Sequence, residues 1–191
     1  MKAVFLDRDG TINIDGKGYI SKTEDFELYP YAAAAIKLLN EAGFLVFVAT
    51  NQSGVARGYY TFSQLDKLHE KMAKELATVG AQIDEIFISP YHVAGQVEPY
   101  NISHEDRKPG IGMFRQALKK YDFEIKRSFM VGDRASDIGF GKKAHLTSIL
   151  LLSGLGRQEF AQHKSWQYQP DFVVEDLLAA ARLIIELDNE N

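Results

Sequence analysis

Asp7 and Asp9 stand two positions apart at the end of the apolar run Ala3-Val4-Phe5-Leu6, with Gly10-Thr11 directly behind them. A short run of this kind reads as a buried parallel strand, and open α/β sheets bind ligands at the carboxyl ends of their strands. Unpaired carboxylates are costly to bury, so a pair in that place points to a cation held between protein and ligand. A turn capped by an Asx residue is the plainer alternative, since Asp-Gly is a common turn dipeptide. The chemistry open to Asp7 is nucleophilic. A carboxylate can attack phosphorus and form an aspartyl-phosphate, splitting one hard hydrolysis into two easier displacements. Asp9 can project from the same loop as general acid toward the leaving oxygen and then as general base toward water. Gly10 relaxes the backbone so that both side chains can face one pocket.

Three further segments carry candidate groups. Ala49-Thr50-Asn51-Gln52-Ser53-Gly54 closes another apolar run, and its hydroxyls and amides can donate to phosphate oxygens without adding charge. A strand-to-loop cap is the competing reading. Lys108, within Asp106-Arg107-Lys108-Pro109-Gly110, can offset the charge of a nucleophile plus a phosphoryl group. Equally, it can be half of a solvated basic pair ahead of a helix-starting proline. In Met130-Val131-Gly132-Asp133-Arg134-Ala135-Ser136-Asp137 an acid again ends an apolar run. Asp133 is placed there to complete an oxygen-ligand set for a hard cation such as Mg²⁺, with waters filling the octahedron. Asp137, in the first turn of the next helix, is either an anchor behind that site or an N-terminal acid.

The elements that must position these groups follow from hydrophobic periodicity. Strand-like runs recur at Ala3–Leu6, Leu45–Thr50, Glu85–Ser89, Ser128–Val131, Thr147–Leu152 and Phe172–Val174. Helix-period segments lie between most of them, at Tyr31–Ala42, Phe62–Val79, Gly112–Tyr121, Ser136–Lys143 and Glu175–Leu187, with Asp176 or Glu175 helping the last N-terminus. Alternating strands and helices predict crossover units and a parallel, doubly wound α/β sheet. Residues 1–191 are expected to form a single domain. Two long segments break the pattern: Ile12–Pro30, with Gly16 and Gly18, and Ser89–Pro109, with Pro90, Gly95, Pro99 and His104-Glu105-Asp106. Loops this long in a compact domain are usually functional.

Composition narrows the function further. The chain has 191 residues, 46% hydrophobic and 25% charged, with a net charge of −4. That balance disfavours nucleic acid as a partner. Cysteine is absent, which removes disulfides, thiolate chemistry and cysteine-based zinc sites. Asp7, Arg8, Asp9 and Asp15 are unlike a signal peptide, and no apolar run reaches membrane-spanning length. A cytoplasmic monomer without membrane partners is expected.

The joint order of Asp-x-Asp-Gly-Thr, a strand-end Thr, a Lys and Gly-Asp-x-x-x-Asp resembles the haloacid dehalogenase-like (HAD) phosphohydrolase superfamily over nearly the whole chain. The resemblance implies a three-layer, Rossmann-like parallel sheet. It implies Asp7 as nucleophile, Asp9 as general acid/base, Thr50 as phosphate-binding hydroxyl and Lys108 as electrostatic clamp. Mg²⁺ would be held by Asp7, the Asp9 backbone carbonyl and Asp133. The stretches Thr50–Gly58 and Asp106–Pro109 look like the branch that contains the D-glycero-D-manno-heptose-1,7-bisphosphate 7-phosphatases and the histidinol-phosphate phosphatases. The implied substrate is therefore a small phosphorylated sugar, first a heptose bisphosphate of the route to lipopolysaccharide, and histidinol phosphate second.

Too few residues separate Asp7, Thr50 and Lys108 to hold a cap domain, so the two long loops must close the site and select the substrate. Arg57 and Arg107 are candidates for a remote phosphate or sugar oxygens, and Asn51 and Ser53 for the transferring phosphate. Arg57 also reads as a surface residue after a tight turn. Many members of this branch bind a structural zinc in the second loop through three cysteines and a histidine. At the matching positions stand Ser89, Tyr91, His104 and Asp106. Serine and tyrosine are poor zinc ligands. Even with His92 as a substitute, a metal-free loop is expected. His69, inside the amphipathic segment 62–79, is expected to be structural or exposed rather than catalytic.

Overall fold

In the computed structural model, which describes residues 1–15 and 18–190, the apolar runs assemble into one six-stranded sheet. Gly16 of the first long loop lies outside the described residues. The strands are β1 (Lys2–Leu6), β2 (Phe44–Asn51), β3 (Glu85–Ser89), β4 (Phe129–Gly132), β5 (Thr147–Leu151) and β6 (Phe172–Val174). Their order is β3-β2-β1-β4-β5-β6, and every neighbouring pair is parallel. The chain moves outward from β1 through β2 to β3, then returns to β4 on the other side of β1. The order therefore reverses between β1 and β4, and a crevice opens at the carboxyl ends of strands at such a switch point.

The helices are α1 (Ala32–Glu41), α2 (Phe62–Ala77), α3 (Gly112–Lys120), α4 (Ala135–Lys143), α5 (Gly156–Phe160) and α6 (Leu177–Asn189). Successive strand residues point to opposite faces, and the core divides accordingly. Val4, Leu6, Val46, Val48 and Val131 pack with Ile36, Leu65, Met72 and Ile184 of α1, α2 and α6. Ala3, Phe5, Phe47 and Met130 pack with Met113, Phe114 and Phe140 of α3 and α4. The result is the three-layer, doubly wound α/β architecture expected from the sequence. Phe5 anchors the second face, its ring centroid 5.1 Å from Phe47 and 5.9 Å from Phe140.

Local chemistry sets where helices begin. Thr61 and Gln64 form a reciprocal capping box at α2, with Gln64 N donating to Thr61 Oγ1 at 3.3 Å and Thr61 N to Gln64 Oε1 at 2.9 Å. At α6 the cap is Asp176, whose Oδ1 accepts from Ala179 N at 2.9 Å, so the helix starts at Leu177 rather than Glu175. The five-residue α5 is absent from the sequence reading because it is too short to show a helical period.

The first long loop folds back on itself and on α2. Tyr29 N donates to Ile12 O and Ile14 N to Glu27 O, while Lys71 Nζ of α2 donates to the carbonyls of Thr23 and Phe26 at 2.8 and 2.7 Å. Among the described residues no helix is long and apolar enough to cross a membrane.

Candidate active site

Strands β1 and β4 deliver the first two acids side by side. Leu6 pairs with Val131 in register, and Asp7 N extends the ladder by donating to Val131 O at 2.9 Å. Asp7 and Asp133 thus leave adjacent strands one residue apart in register. Gly10, at φ +83°, lets the chain turn away above them, and a Cβ there would lie 2.3 Å from Asp133 Oδ2. Asp133 Oδ2 accepts from Leu155 N at 2.8 Å, whereas Oδ1 is buried with no hydrogen-bond partner.

Lys108 enters this acidic floor from the second loop. Its Nζ lies 2.9 Å from Asp7 Oδ1 and 2.7 Å from Asp137 Oδ1, and all three side chains are buried. Asn51, at the end of β2, pins the lysine by its main chain, accepting from Lys108 N at 2.9 Å and donating to Lys108 O at 3.2 Å. Burial opposes the Lys108 charge, but Asp137 and Asp7 outweigh it and raise its pKa. Asp133 and Asp137 are both raised, first by burial and then by carboxylate repulsion, while Lys108 opposes the rise at Asp137.

Three buried carboxylates thus face one ammonium. Ligand oxygens of Asp7, Asp133 and Asp137 lie within 4.8 Å of one another, and Asp133 Oδ1 is unpartnered. The donor set is all oxygen and two charges short of balance, which fits a hard divalent cation such as Mg²⁺.

Asp9 belongs to a second network. Arg8, between the two aspartates, is 1% exposed. Its Nε donates to Asp9 Oδ1 at 3.1 Å, and its Nη2 to Oδ1 and Oδ2 at 2.8 and 2.9 Å. Its Nη1 lies 3.2 Å from His69 Nε2, and its backbone N donates to Asp7 Oδ1 at 2.7 Å. Asn13 Nδ2 also donates to Asp9 Oδ1, at 3.0 Å, and Gln52 Nε2 to Oδ2 at 2.8 Å. Gln52 further donates to Thr50 Oγ1 at 2.8 Å and accepts from the buried Tyr60 hydroxyl at 2.5 Å. Burial disfavours the Asp9 charge, yet Arg8, Gln52 and Asn13 together lower its pKa. Burial, then Arg8, depress the His69 pKa to about 4, so the imidazole is neutral at neutral pH.

Over this floor lies a cleft of about 370 Å³. Asp7, Asp9, Thr50, Asn51, Ser53, Arg107 and Lys108 all line it, along with Arg134, which sequence reasoning passed over. Both long loops contribute walls, through Asp15 and Tyr19 from the first and His92 and Arg107 from the second. The rim is basic: Arg107 donates to Tyr91 O at 3.2 Å, and Arg134 pairs with Asp15 at 3.0 Å. Ser53 Oγ sits 3.2 Å from the Tyr19 hydroxyl. Arg57 is not among the lining residues, because its guanidinium is turned to the His92 ring at 3.2 Å. Arg8, Gln52 and His69 were missed as site residues, although an arginine between two strand-end acids is itself a signal of a local ion pair.

The zinc-loop positions bring together different chemistry. The Tyr91 and His104 rings stack at 3.9 Å and 15°, and His104 Nδ1 lies 3.3 Å from Asp106 Oδ2. Two stacked rings, a carboxylate and a buried serine do not make a tetrahedral zinc ligand set.

A parallel sheet with acids on adjacent strand ends and a buried lysine between them defines a phosphate-handling α/β hydrolase centre. Residues 106–180 match the sequence profile of the HAD-hydrolase-like family. With relatives that align along most of its length, the chain belongs to the haloacid dehalogenase-like hydrolases. It is 45% identical over 142 residues to the D-glycero-beta-D-manno-heptose-1,7-bisphosphate 7-phosphatase of Rhodopseudomonas palustris, covering 74% of this chain and 78% of that one. It is 39% identical over 186 residues to the D-glycero-D-manno-heptose-1,7-bisphosphate 7-phosphatase of Thermosynechococcus vestitus, covering 95% and 94%. A crystal structure of the D,D-heptose 1,7-bisphosphate phosphatase from B. bronchiseptica, complexed with magnesium and phosphate, superposes with a TM-score of 0.86 at 32% identity, covering 98% and 99%.

Proposed function

We propose that this protein is a Mg²⁺-dependent phosphomonoesterase that removes the 7-phosphate of D-glycero-D-manno-heptose 1,7-bisphosphate through an aspartyl-phosphate on Asp7. The observation that carries the reading is the buried Asp7–Lys108–Asp137 cluster beside the unpartnered Asp133 oxygen. Asp7, Asp133 and the Asp9 backbone carbonyl would hold the ion, with Asp137 behind them. When bound, the ion supplies positive charge that screens the phosphoryl oxygens from the carboxylates around them.

In the first step an Asp7 oxygen bonds to phosphorus, the bond from phosphorus to the sugar oxygen breaks, and Asp9 gives that oxygen a proton. In the second, Asp9 takes a proton from water as the water oxygen bonds to phosphorus, and the Asp7–phosphorus bond breaks. The Arg8 fork favours the carboxylate form of Asp9, which the second step needs. An anionic phosphoryl group drawn against Asp9 raises its proton affinity for the first. Lys108 neutralises Asp7 before attack, and Thr50 and Ser53 offer hydroxyls to the phosphate.

The polarity of the cleft supports a bisphosphate. One phosphate meets the acid-and-cation floor, while Arg107 and Arg134 at the rim meet the other. Asp7 and Asp133 come from the ends of β1 and β4, Asp137 from α4 and Lys108 and Arg107 from the second loop; the assembly proposed is a single-domain monomer closed by its two loops. The biosynthetic setting proposed is the cytoplasmic route to nucleotide-activated heptose for lipopolysaccharide.

Phosphate release should be compared for both anomers of the heptose bisphosphate, histidinol phosphate and fructose 1,6-bisphosphate. The heptose bisphosphate is expected to give the highest kcat/KM, and Asp7→Asn to abolish turnover. Preference for histidinol phosphate would overturn the substrate, and ordinary turnover by Asp7→Asn the mechanism.

A further inference from the structure

We infer that His69 is a positioning residue for Asp9, acting through the Arg8 guanidinium. The inference rests on the reading of Asp9 as the general acid/base. His69 projects from α2 into the core and is 8% exposed, with Arg8 as its hydrogen-bond partner. Arginine has no acceptor, so His69 Nε2 must accept from Arg8 Nη1, and the ring proton resides on Nδ1.

This contact completes the planar fork. Nε and Nη2 of Arg8 are spent on Asp9, and Nη1 is the remaining corner, with His69 beneath it at 3.2 Å. A guanidinium is rigid and planar. Fixing Nη1 therefore sets the tilt of the edge that grips both Asp9 oxygens. Gln52 and Asn13 each hold a single Asp9 oxygen and leave that tilt free. With no acceptor at position 69, a buried N–H is left unpaired and the fork turns to recover a partner, carrying Asp9 with it.

The neutral ring suits the task. A carboxylate at position 69 would compete with Asp9 for Arg8, and a cation would repel the guanidinium. An imidazole accepts one hydrogen bond and leaves the arginine charge to Asp9.

The test exploits the leaving group. A sugar oxygen must be protonated to depart, whereas the phenolate of p-nitrophenyl phosphate departs without a proton. His69→Leu is expected to lower kcat/KM for the heptose bisphosphate by about tenfold, and for p-nitrophenyl phosphate by less than about twofold. His69→Gln, whose Oε1 can reach the position of Nε2, should recover most of the lost rate. His69→Asn, polar but too short, should behave like the leucine variant and serves if leucine does not fold. Equal losses on the two substrates, or an unchanged rate for the sugar phosphate in folded Leu or Asn variants, would overturn the inference. Asp9→Asn is run alongside. If it keeps the wild-type rate on the sugar phosphate, the acid/base assignment fails instead, and this inference falls with it.

Discussion

Asn51 and Lys108 clasp each other across the cleft floor: the Asn51 side chain accepts from the Lys108 amide at 2.9 Å and donates to its carbonyl at 3.2 Å. The clasp joins the end of β2 to the second loop, so the lysine that reaches Asp7 is aimed by its backbone. Asn51→Ala removes both bonds. It is expected to cost about 1–3 kcal/mol of stability and to lower kcat roughly 10- to 100-fold as Lys108 shifts. Thermal denaturation and steady-state kinetics on the same preparation check both effects.

Asp133 carries a buried oxygen without a partner. Wild-type protein should therefore gain about 2.7 kcal/mol when Mg²⁺ is raised to 100 times its Kd. Asp133→Asn should lose this response while unfolding, metal-free, at or above the wild-type temperature, because it removes a carboxyl whose ionisation burial and the neighbouring Asp7 and Asp137 oppose. Melting curves with chelator and with Mg²⁺ decide it. A variant that still responds to Mg²⁺ as wild type does would remove Asp133 from the metal site.

The depressed pKa of His69 has a signed consequence. The folded state resists protonation down to about pH 4, whereas the unfolded chain takes up the proton near pH 6.5. The native state is thus unpenalised above pH 6.5 and loses stability as pH falls from there toward 4, by about 3 kcal/mol in all. His69→Gln lacks this titration. Since Asp137 and Asp133 titrate in both proteins, the difference between the two stability–pH curves isolates the histidine. Parallel curves between pH 4 and 6.5 would show that His69 does not resist protonation.

Gly10 combines a left-handed backbone with a close approach to Asp133. Gly10→Ala is expected to lose about 1–2 kcal/mol from the backbone alone. The new methyl group also displaces the Asp133 carboxylate, so Mg²⁺ affinity should fall by about tenfold. Titration of Mg²⁺ by calorimetry on the folded variant reads this directly. Gly18, also at positive φ but with open space around it, is the control expected to leave metal binding unchanged when replaced by alanine.

The sheet was legible because buried parallel strands are continuous apolar runs: β3 and β6 match the expected bounds residue for residue, β1 and β5 differ by one residue at one end, and β2 and β4 by one residue at both. The convergence of Asp7, Thr50 and Asp133 was legible for the same reason, since strand ends in a doubly wound sheet share one edge, whereas Lys108 lies in a loop and only the motif order shared with the family pointed to it. Side-chain direction was not. Arg57 follows a tight turn that swings it onto His92 rather than into the cleft. The Asn51 amide is consumed by Lys108, a residue far away in sequence. Arg8 was passed over because arginine is ordinarily solvated. Its burial becomes visible only when Asp9 and His69 are seen closing around it.

Arg8 ties two chemical roles to a single residue, its amide serving Asp7 and its guanidinium serving Asp9. Substituting its side chain keeps the amide at Asp7 and removes the fork on Asp9, so the loss falls on proton transfer. The loops at 12–30 and 89–109 reach the floor through Asn13 and Lys108, and their other cleft-lining residues form its walls. Substitutions in those walls can therefore change which substrate fits without touching the carboxylates of the floor.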